Sequence, residues 1–320
     1  MRILIVLVAA ALCGSGGPAQ EPVLRVGIVG LDTSHVVAFT DILNNPKHRD
    51  HVPGTKVVAA FKGGSPDIKA SADRVEKFTQ TMKEKYGLEI VDTIEALVAK
   101  VDAVLLESLD GRVHLEQVRP IFAAKKRVFI DKPLTASLKD AREIARLSRE
   151  SGTPFFSASS LRFKGSVKKL KEDPEIGKIL GCEVHSGIST ITGHPDFAFY
   201  GIHGIEPLFA LMGPGWESLQ RCEDVVVARW KDGRVATYRG IRRGAQPFGA
   251  TVFGEKAVKS AVRDEGESTY AALVREIVKF FQTGVSPVSP EEMVDVIAFI
   301  EAADVSKQKG GGTVRSEDLR

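Results

Sequence analysis

Cysteine is scarce, with three in 320 residues, and this excludes a disulfide framework. Cys13 sits inside an N-terminal apolar stretch, so only Cys182 and Cys222 remain for an oxidising compartment, where they either pair or persist as two thiols. No spacing of Cys, His and acidic residues resembles a closed metal site, and His194 with His203 is a pair without further ligands, so no metal is expected. Charge of one sign is also missing: 44 basic and 41 acidic residues give a net +3, spread along the chain. Without a basic block or an aromatic-interleaved basic stripe, nucleic acid is not an expected partner. There is no internal repeat and no low-complexity linker. The one long apolar run, Ile3 to Leu12, falls well short of the roughly 20 residues a bilayer needs, so no stable membrane span is expected.

That run has a different meaning. Arg2 precedes it and small residues ending Gly17-Pro18-Ala19 follow, which is the anatomy of a secretory signal with cleavage after Ala19. Leu12 stands where a lipid-modified Cys13 would need a small residue, and no paired arginine marks export in a folded, cofactor-loaded state. Residues 1–19 are therefore expected to be a signal peptide and the mature chain periplasmic or secreted. With 43% hydrophobic and 27% charged residues, the remaining length suits two globular domains.

From Leu24 short β-rich runs alternate with amphipathic helical stretches. Strands are predicted at Leu24 to Gly30, Lys56 to Phe61, Glu89 to Asp92, Val101 to Glu107, Arg127 to Ile130 and Pro154 to Ser157. Helices are predicted at Ser71 to Tyr86, His114 to Lys125 and Ser137 to Ser151, the last with Leu138, Ala141, Ile144 and Ala145 on one face. This rhythm defines a Rossmann-like, doubly wound α/β domain over residues 20–160. After Leu161 strands follow one another, near Ile179 to Thr190, Ser218 to Trp230, Arg234 to Arg239 and Gly249 to Phe253, before two C-terminal helices. Residues 161–320 are expected to form an α+β domain with a mostly antiparallel sheet.

The first strand ends Gly30-Leu31-Asp32-Thr33-Ser34-His35. In a Gly-x-Gly-x-x-Gly frame Gly30 is the first glycine, while Asp32 and His35 replace the second and third. A carboxylate facing a pyrophosphate at 4 Å adds repulsion of about 1–4 kcal/mol. Against that, Asp32, Thr33 or Ser34 can cap the next helix, whose free N–H groups still form an anion site, and Thr33 and Ser34 can donate hydroxyls. At the end of the second strand, where a ribose-binding acid would stand, the chain has Lys62-Gly63-Gly64-Ser65. Lys62 is either a grip for a 2′-phosphate, favouring NADP, or an ordinary solvated lysine. The fifth strand delivers Asp131-Lys132-Pro133 to the carboxyl edge of the sheet, where burial can fit a lysine for proton transfer.

Taken together, Gly30-x-x-Thr33, Val101-Asp102-Ala103-Val104-Leu105-Leu106-Glu107-Ser108 followed by His114, and Asp131-Lys132-Pro133-Leu134 resemble the first domain of the Gfo/Idh/MocA oxidoreductase family. The resemblance continues through Ser159-Ser160-Leu161-Arg162-Phe163, Ile176-Gly177-Lys178-Ile179, Gly201-Ile202-His203-Gly204-Ile205-Glu206 and Glu301 to Ser306. It implies an NAD- or NADP-dependent oxidoreductase acting on a sugar, inositol or related polyol. It also implies catalytic roles for Lys132 and His203, and a nucleotide pocket holding Gly30, Asp32, Thr33, Ser34, His35, Lys62, Glu107, Ser108, His114 and Asp131. Arg162, Tyr200 and Glu206 fall toward the substrate, and a homo-oligomer through the open face of the second-domain sheet is the default. Two departures stand out. The aspartate that in many members precedes the helix histidine by four residues is Phe199 here, and Asp131 replaces a glutamate. An exported chain also meets little free nicotinamide, so an exported carbohydrate-binding protein, or a non-redox lyase or hydrolase in the same cleft, is the competing reading.

Overall fold

The computed structural model describes residues 23–261 and 268–319; the expected signal segment, with Cys13, lies outside the described residues. The first domain contains β1 (Leu24–Val29), α1 (His35–Asn44), β2 (Thr55–Phe61), α2 (Lys69–Tyr86), β3 (Glu89–Val91), α3 (Ile94–Val98), β4 (Ala103–Leu106), α4 (His114–Ala123), β5 (Arg127–Asp131), α5 (Leu138–Ser151) and β6 (Phe155–Ala158). The strands form one parallel sheet in the order β3-β2-β1-β4-β5-β6, the doubly wound arrangement whose topological switch lies between β1 and β4. Every residue of β4 is buried, as expected for a strand covered on both faces. Local chemistry sets the helix ends. On α5 the Ser137 hydroxyl accepts from the Asp140 N–H at 3.2 Å, and Gly152 closes the helix in the left-handed region at φ 65°.

The second domain continues with α6 (Gly165–Glu172), β7 (Ile179–Gly187), α7 (Ile202–Met212), β8 (Trp216–Cys222), β9 (Val225–Trp230), β10 (Val235–Ile241), β11 (Gly249–Gly254), β12 (Val258–Ala261), α8 (Thr269–Thr283), α9 (Pro290–Gln308) and β13 (Val314–Arg315). Its sheet runs β12-β11-β7-β10-β9-β8-β13 and is antiparallel except for the parallel β7–β10 pair. The expected single strand from Ser218 to Trp230 is a hairpin instead. Glu223 adopts φ 50°, and Arg221 donates to the Glu223 carbonyl at 2.6 Å, which turns the chain between β8 and β9. The strand expected to reach Thr190 stops at Gly187.

One face of this sheet packs against α7 and α9; the other leaves Val227, Val235, Phe253 and Val258 exposed. Cys182 is buried and Cys222 exposed, and both are free thiols. The two C-terminal helices return to the first domain, where α9 packs on α5 and β6, and α8 on α1 and β5. Phe280 on α8 meets Phe156 of β6 edge to face, with ring centroids 5.1 Å apart. Among the described residues no helix is long and apolar enough to cross a membrane, and no group of three potential metal ligands forms.

Candidate active site

The ends of β1, β4 and β5 meet at the switch point. Gly30 leaves β1 at φ 88°, and a Cβ there would lie 2.2 Å from the Ser108 hydroxyl and 2.5 Å from its backbone nitrogen. Only glycine permits this approach. Asp32, fully buried, turns both oxygens inward: one accepts from the Leu109 N–H at 2.9 Å and the other from the Ser71 hydroxyl at 2.6 Å. Burial raises its pKa, and these two bonds moderate the rise. Thr33 accepts from the His35 N–H at 3.1 Å, while Ser34 leads into α1 without capping it through its side chain.

Asp131 ends β5. Its carboxylate lies 2.6 Å from His35 Nδ1 and accepts from the Lys132 N–H at 2.8 Å. Burial opposes ionisation, but His35 and Lys132 outweigh it and hold Asp131 below the ordinary carboxylate range. Burial lowers the Lys132 pKa, with Asp131 offsetting part of the effect. The Lys132–Pro133 peptide is cis. Lys132 Nζ stands 5.3 Å from the centre of the Phe199 ring, the residue that replaces the family's aspartate.

On α7, His203 Nδ1 lies 2.6 Å from the Ser159 hydroxyl, and its ring meets Tyr200 edge on at 4.9 Å. Burial first, then the charges of Lys132 and His35, push the His203 pKa well below the usual histidine value. A cavity of about 250 Å³ opens beside it, walled by His203, Tyr200, Tyr270, Ser160, Gln246 and Phe248.

The other expected residues fall into distinct groups. Glu107 is fully buried, and neither carboxylate oxygen has a hydrogen-bond partner; the Ser108 hydroxyl beside it is likewise unpartnered. Burial and the Asp131 charge drive the Glu107 pKa well above its ordinary value. His114 joins two loops, with Nδ1 3.0 Å from the Leu134 carbonyl and Nε2 2.8 Å from the Ser108 carbonyl. Lys62 pairs with Glu76. Arg162 and Glu206 direct their charges at each other, 2.7 Å apart, and Arg162 also pairs with Glu292, away from the cavity walls.

Several residues escaped the sequence reading. Asp110 binds Ser65 at 2.7 Å and Arg112 at 2.8 Å, and Arg112 reaches Asp67 at 2.8 Å. The Gly111 N–H donates to His194 Nε2 at 2.9 Å, tying this loop to the second domain. Tyr270, on α8, meets His35 edge on at 5.0 Å and lines the cavity. The Asp110-x-Arg112 pair was visible as a motif; Tyr270 gave no signal, because only folding brings α8 to α1.

These groups fit a nicotinamide dinucleotide. The carboxylate expected to repel its pyrophosphate points away, into Leu109 and Ser71, and Ser34 does not cap α1, so the first-turn N–H groups after His35, whose own N–H Thr33 holds, remain for an anion. Glu107 and Ser108 keep unmet hydrogen-bonding capacity at the switch point. Gly30, Thr33, Ser34, Glu107 and Ser108 are the residues that would hold it.

A doubly wound domain with this switch-point site, followed by a sheet domain whose α7 histidine lines a small cavity, defines a dinucleotide-binding class of two-domain proteins. Residues 24–159, the first domain, match the model of the Gfo/Idh/MocA family, described as an oxidoreductase family with an NAD-binding Rossmann fold. Over 113 residues the chain is 36% identical to myo-inositol 2-dehydrogenase of Thermotoga maritima, covering 34% of each protein. Over 97 residues it is 30% identical to 2,7-anhydro-N-acetylneuraminate hydratase of Escherichia coli, covering 29% of this chain and 26% of that protein. The chain thus spans about a third or less of the curated relatives it matches.

Whole-chain likeness comes from solved structures. A probable dehydrogenase from Thermotoga maritima superposes with a TM-score of 0.75 at 22% identity, covering 93% of this chain and all of that one. Scyllo-inositol dehydrogenase from Lactobacillus casei, solved with NAD(H) and scyllo-inositol, gives 0.74 at 16% identity, covering 92% of this chain and all of that one. At these identities the likeness establishes the fold across both domains.

Proposed function

We propose that the protein is an NAD-dependent oxidoreductase acting on inositol, a related polyol or a sugar. The observation that carries this reading is Lys132. It is a half-buried amine of lowered pKa at the carboxyl end of β5, whose charge reaches His203, and His203 lines a cavity of about 250 Å³ with hydroxyl, amide and imidazole groups in its walls. Gly30, Thr33, Ser34, Glu107 and Ser108 would hold the nicotinamide dinucleotide, which would supply the hydride acceptor or donor. The chain's own groups do the rest: Lys132 orients the reacting oxygen and exchanges its proton, His203 supplies an uncharged imidazole, and Tyr200, Tyr270 and Phe248 form the aromatic walls of the cavity.

The charge at the ribose end supports NAD over NADP. Lys62 is neutralised by Glu76, and Asp67 and Asp110 hold Arg112, which leaves no spare cation among these groups for a 2′-phosphate. The inositol relatives support the polyol. The Met1 to Gln20 pattern supports export, and the exposed Val227, Val235, Phe253 and Val258 support pairing of two copies through the second sheet.

The test is binding of NAD, NADH, NADP and NADPH to the mature chain by calorimetry, followed by polyol oxidation read from reduced-nucleotide absorbance. The expected result is NAD(H) binding tighter than about 100 µM, roughly 5.5 kcal/mol, with NADP(H) weaker and turnover of an inositol. A folded sample that binds no nucleotide at millimolar concentration sinks the reading and returns the carbohydrate-binding alternative.

A further inference from the structure

We propose that Arg221 is a positioning residue for the cavity: it fixes the segment 196–201, which holds Tyr200 and His203 in the wall and Phe199 over Lys132. This rests on the oxidoreductase reading and deepens it.

The Arg221 side chain is 0% exposed, and its guanidinium is bound on every side. Nε donates to the Glu223 carbonyl at 2.6 Å. One terminal nitrogen donates to Asp304 of α9 at 2.6 Å, the other to Asp196 at 2.7 Å and Asp224 at 3.4 Å. Its central carbon stands 4.0 Å from the centre of the Phe197 ring. Arg242 and Lys307 also reach Asp196, at 3.3 and 2.7 Å, and Arg242 binds Asp224 at 2.7 Å, so three cations face three carboxylates.

Desolvating a guanidinium is costly, and apolar side chains of similar volume would join β8 to α9 at least as firmly. What the charges add is direction, because a planar fork of N–H donors dictates where each carboxylate stands. The residue most in need of direction is Asp196. It lies between β7 and α7 in a stretch, residues 188–201, that has no helix or strand of its own. Its backbone N–H also donates to Asp304, at 2.9 Å, so main chain and side chain are held together.

From Phe197 the hold passes to the cavity. The Phe197 carbonyl accepts from the Ile202 N–H at 2.7 Å, and a Cβ on Gly201 would lie 2.9 Å from the Phe197 Cα. Phe199 and Tyr200 ride on this closed turn. The Phe199 ring centre is 5.3 Å from Lys132 Nζ, and the Tyr200 ring meets His203 at 4.9 Å. Tyr200 and His203 line the cavity while Arg221 does not, so Arg221 acts on a ligand only through where it puts them.

The experiment uses the full mature chain. Arg221→Lys keeps the charge and gives up the fork. With NAD and myo-inositol it is expected to lose about 10- to 100-fold in kcat, with the NADH dissociation constant within about threefold of wild type, roughly 0.6 kcal/mol. Asp196→Asn is expected to do the same, and to cost no further kcat when added to Arg221→Lys. Asp224→Asn makes the same change on a carboxylate that also binds Arg221 and Arg242 but lies outside the segment; it is expected to lower the urea midpoint and keep kcat. The ¹⁵N-histidine spectrum, with His203 assigned through His203→Gln, is expected to show that residue's signals moved in Arg221→Lys and Asp196→Asn and unmoved in Asp224→Asn.

A purely architectural ion cluster would lower kcat only in step with stability. Equal kcat for the two Asn variants, losses that multiply in the double variant, or a His203 signal that ignores Arg221 and Asp196 overturns the proposal. If Arg221→Lys does not fold, the two Asn variants decide it. If the wild type shows no nicotinamide-dependent turnover, the oxidoreductase reading fails, and the His203 signals still decide the positioning.

Discussion

Individual side chains at the switch point carry chemistry that their neighbours in sequence do not announce. Asp32 reads in the sequence as a charge set against a pyrophosphate, and its actual direction is decided by Ser71 and Leu109, 39 and 77 residues away. Lys132 was legible because strand, proline and lysine are contiguous. The Asp131–His35 contact was not, since 96 residues separate the partners. Glu107 is the costliest of these groups, a buried acid without a partner. Its folded-state pKa lies above the unfolded value of about 4.3, so the folded chain keeps an extra proton and loses stability as pH rises above that value. Glu107→Met is therefore expected to stabilise the protein by about 1–3 kcal/mol near pH 4, where only the unpaired buried carboxyl is removed, to stabilise it further at pH 7, and to weaken NADH binding. Thermal melts at the two pH values check the first two effects, and a melt that shifts equally at both contradicts the assignment.

Elements were easier to read than their ends. The six parallel strands were legible because each is a short apolar run between amphipathic helices, and α5 because its apolar positions recur at helical spacing between Ser137 and Gly152. The β8–β9 turn was missed because its residues have no glycine; Arg221 holds Glu223 in the left-handed region instead. Helix α7 contains a less visible constraint. A Cβ on Gly204 would lie 2.5 Å from the Tyr238 ring and 2.6 Å from the Ser186 hydroxyl. On an open helix Gly→Ala gains about 1 kcal/mol. Here Gly204→Ala is expected to cost about 1–3 kcal/mol and to lift α7 from β7 and β10, moving His203 away from Ser159. Urea titration measures the first effect, and a fall in kcat larger than the change in nucleotide affinity reports the second. Unchanged or raised stability would show that the sheet yields at this point.

At the scale of the whole molecule, the change of rhythm after Leu161 marks where the strand pattern turns antiparallel, but the first domain's packing is completed much later in the chain. The Leu138 N–H donates to Glu301 at 2.8 Å, Ser157 N–H reaches Met293 Sδ at 2.8 Å, and Arg127 binds the Phe281 and Gln282 carbonyls. Sequence periodicity could locate α8 and α9 as helices and could not say which sheet they cover, because both present apolar faces suited to either. A chain ending at Ala261 retains every strand of the first sheet yet is expected to lose cooperative unfolding of that domain, giving a broad urea transition by circular dichroism and binding of a hydrophobic dye. A sharp transition of normal amplitude from the shortened chain would mean that the first domain stands without those helices.

The return of the last helices to the first sheet also sets a clock on biosynthesis. When residue 160 has been added, all six parallel strands exist, but the surfaces of Phe129 and Phe156 that α8 and α9 cover must wait for about 150 more residues. At about 5–20 residues per second that interval is roughly 7–30 s, far longer than the microseconds in which small chains collapse. The strands of the first domain are therefore complete in sequence for nearly half of the synthesis before the helices that cover them, and that apolar surface depends on whatever shields it, or keeps the chain unfolded for export, until the C-terminus arrives to close it.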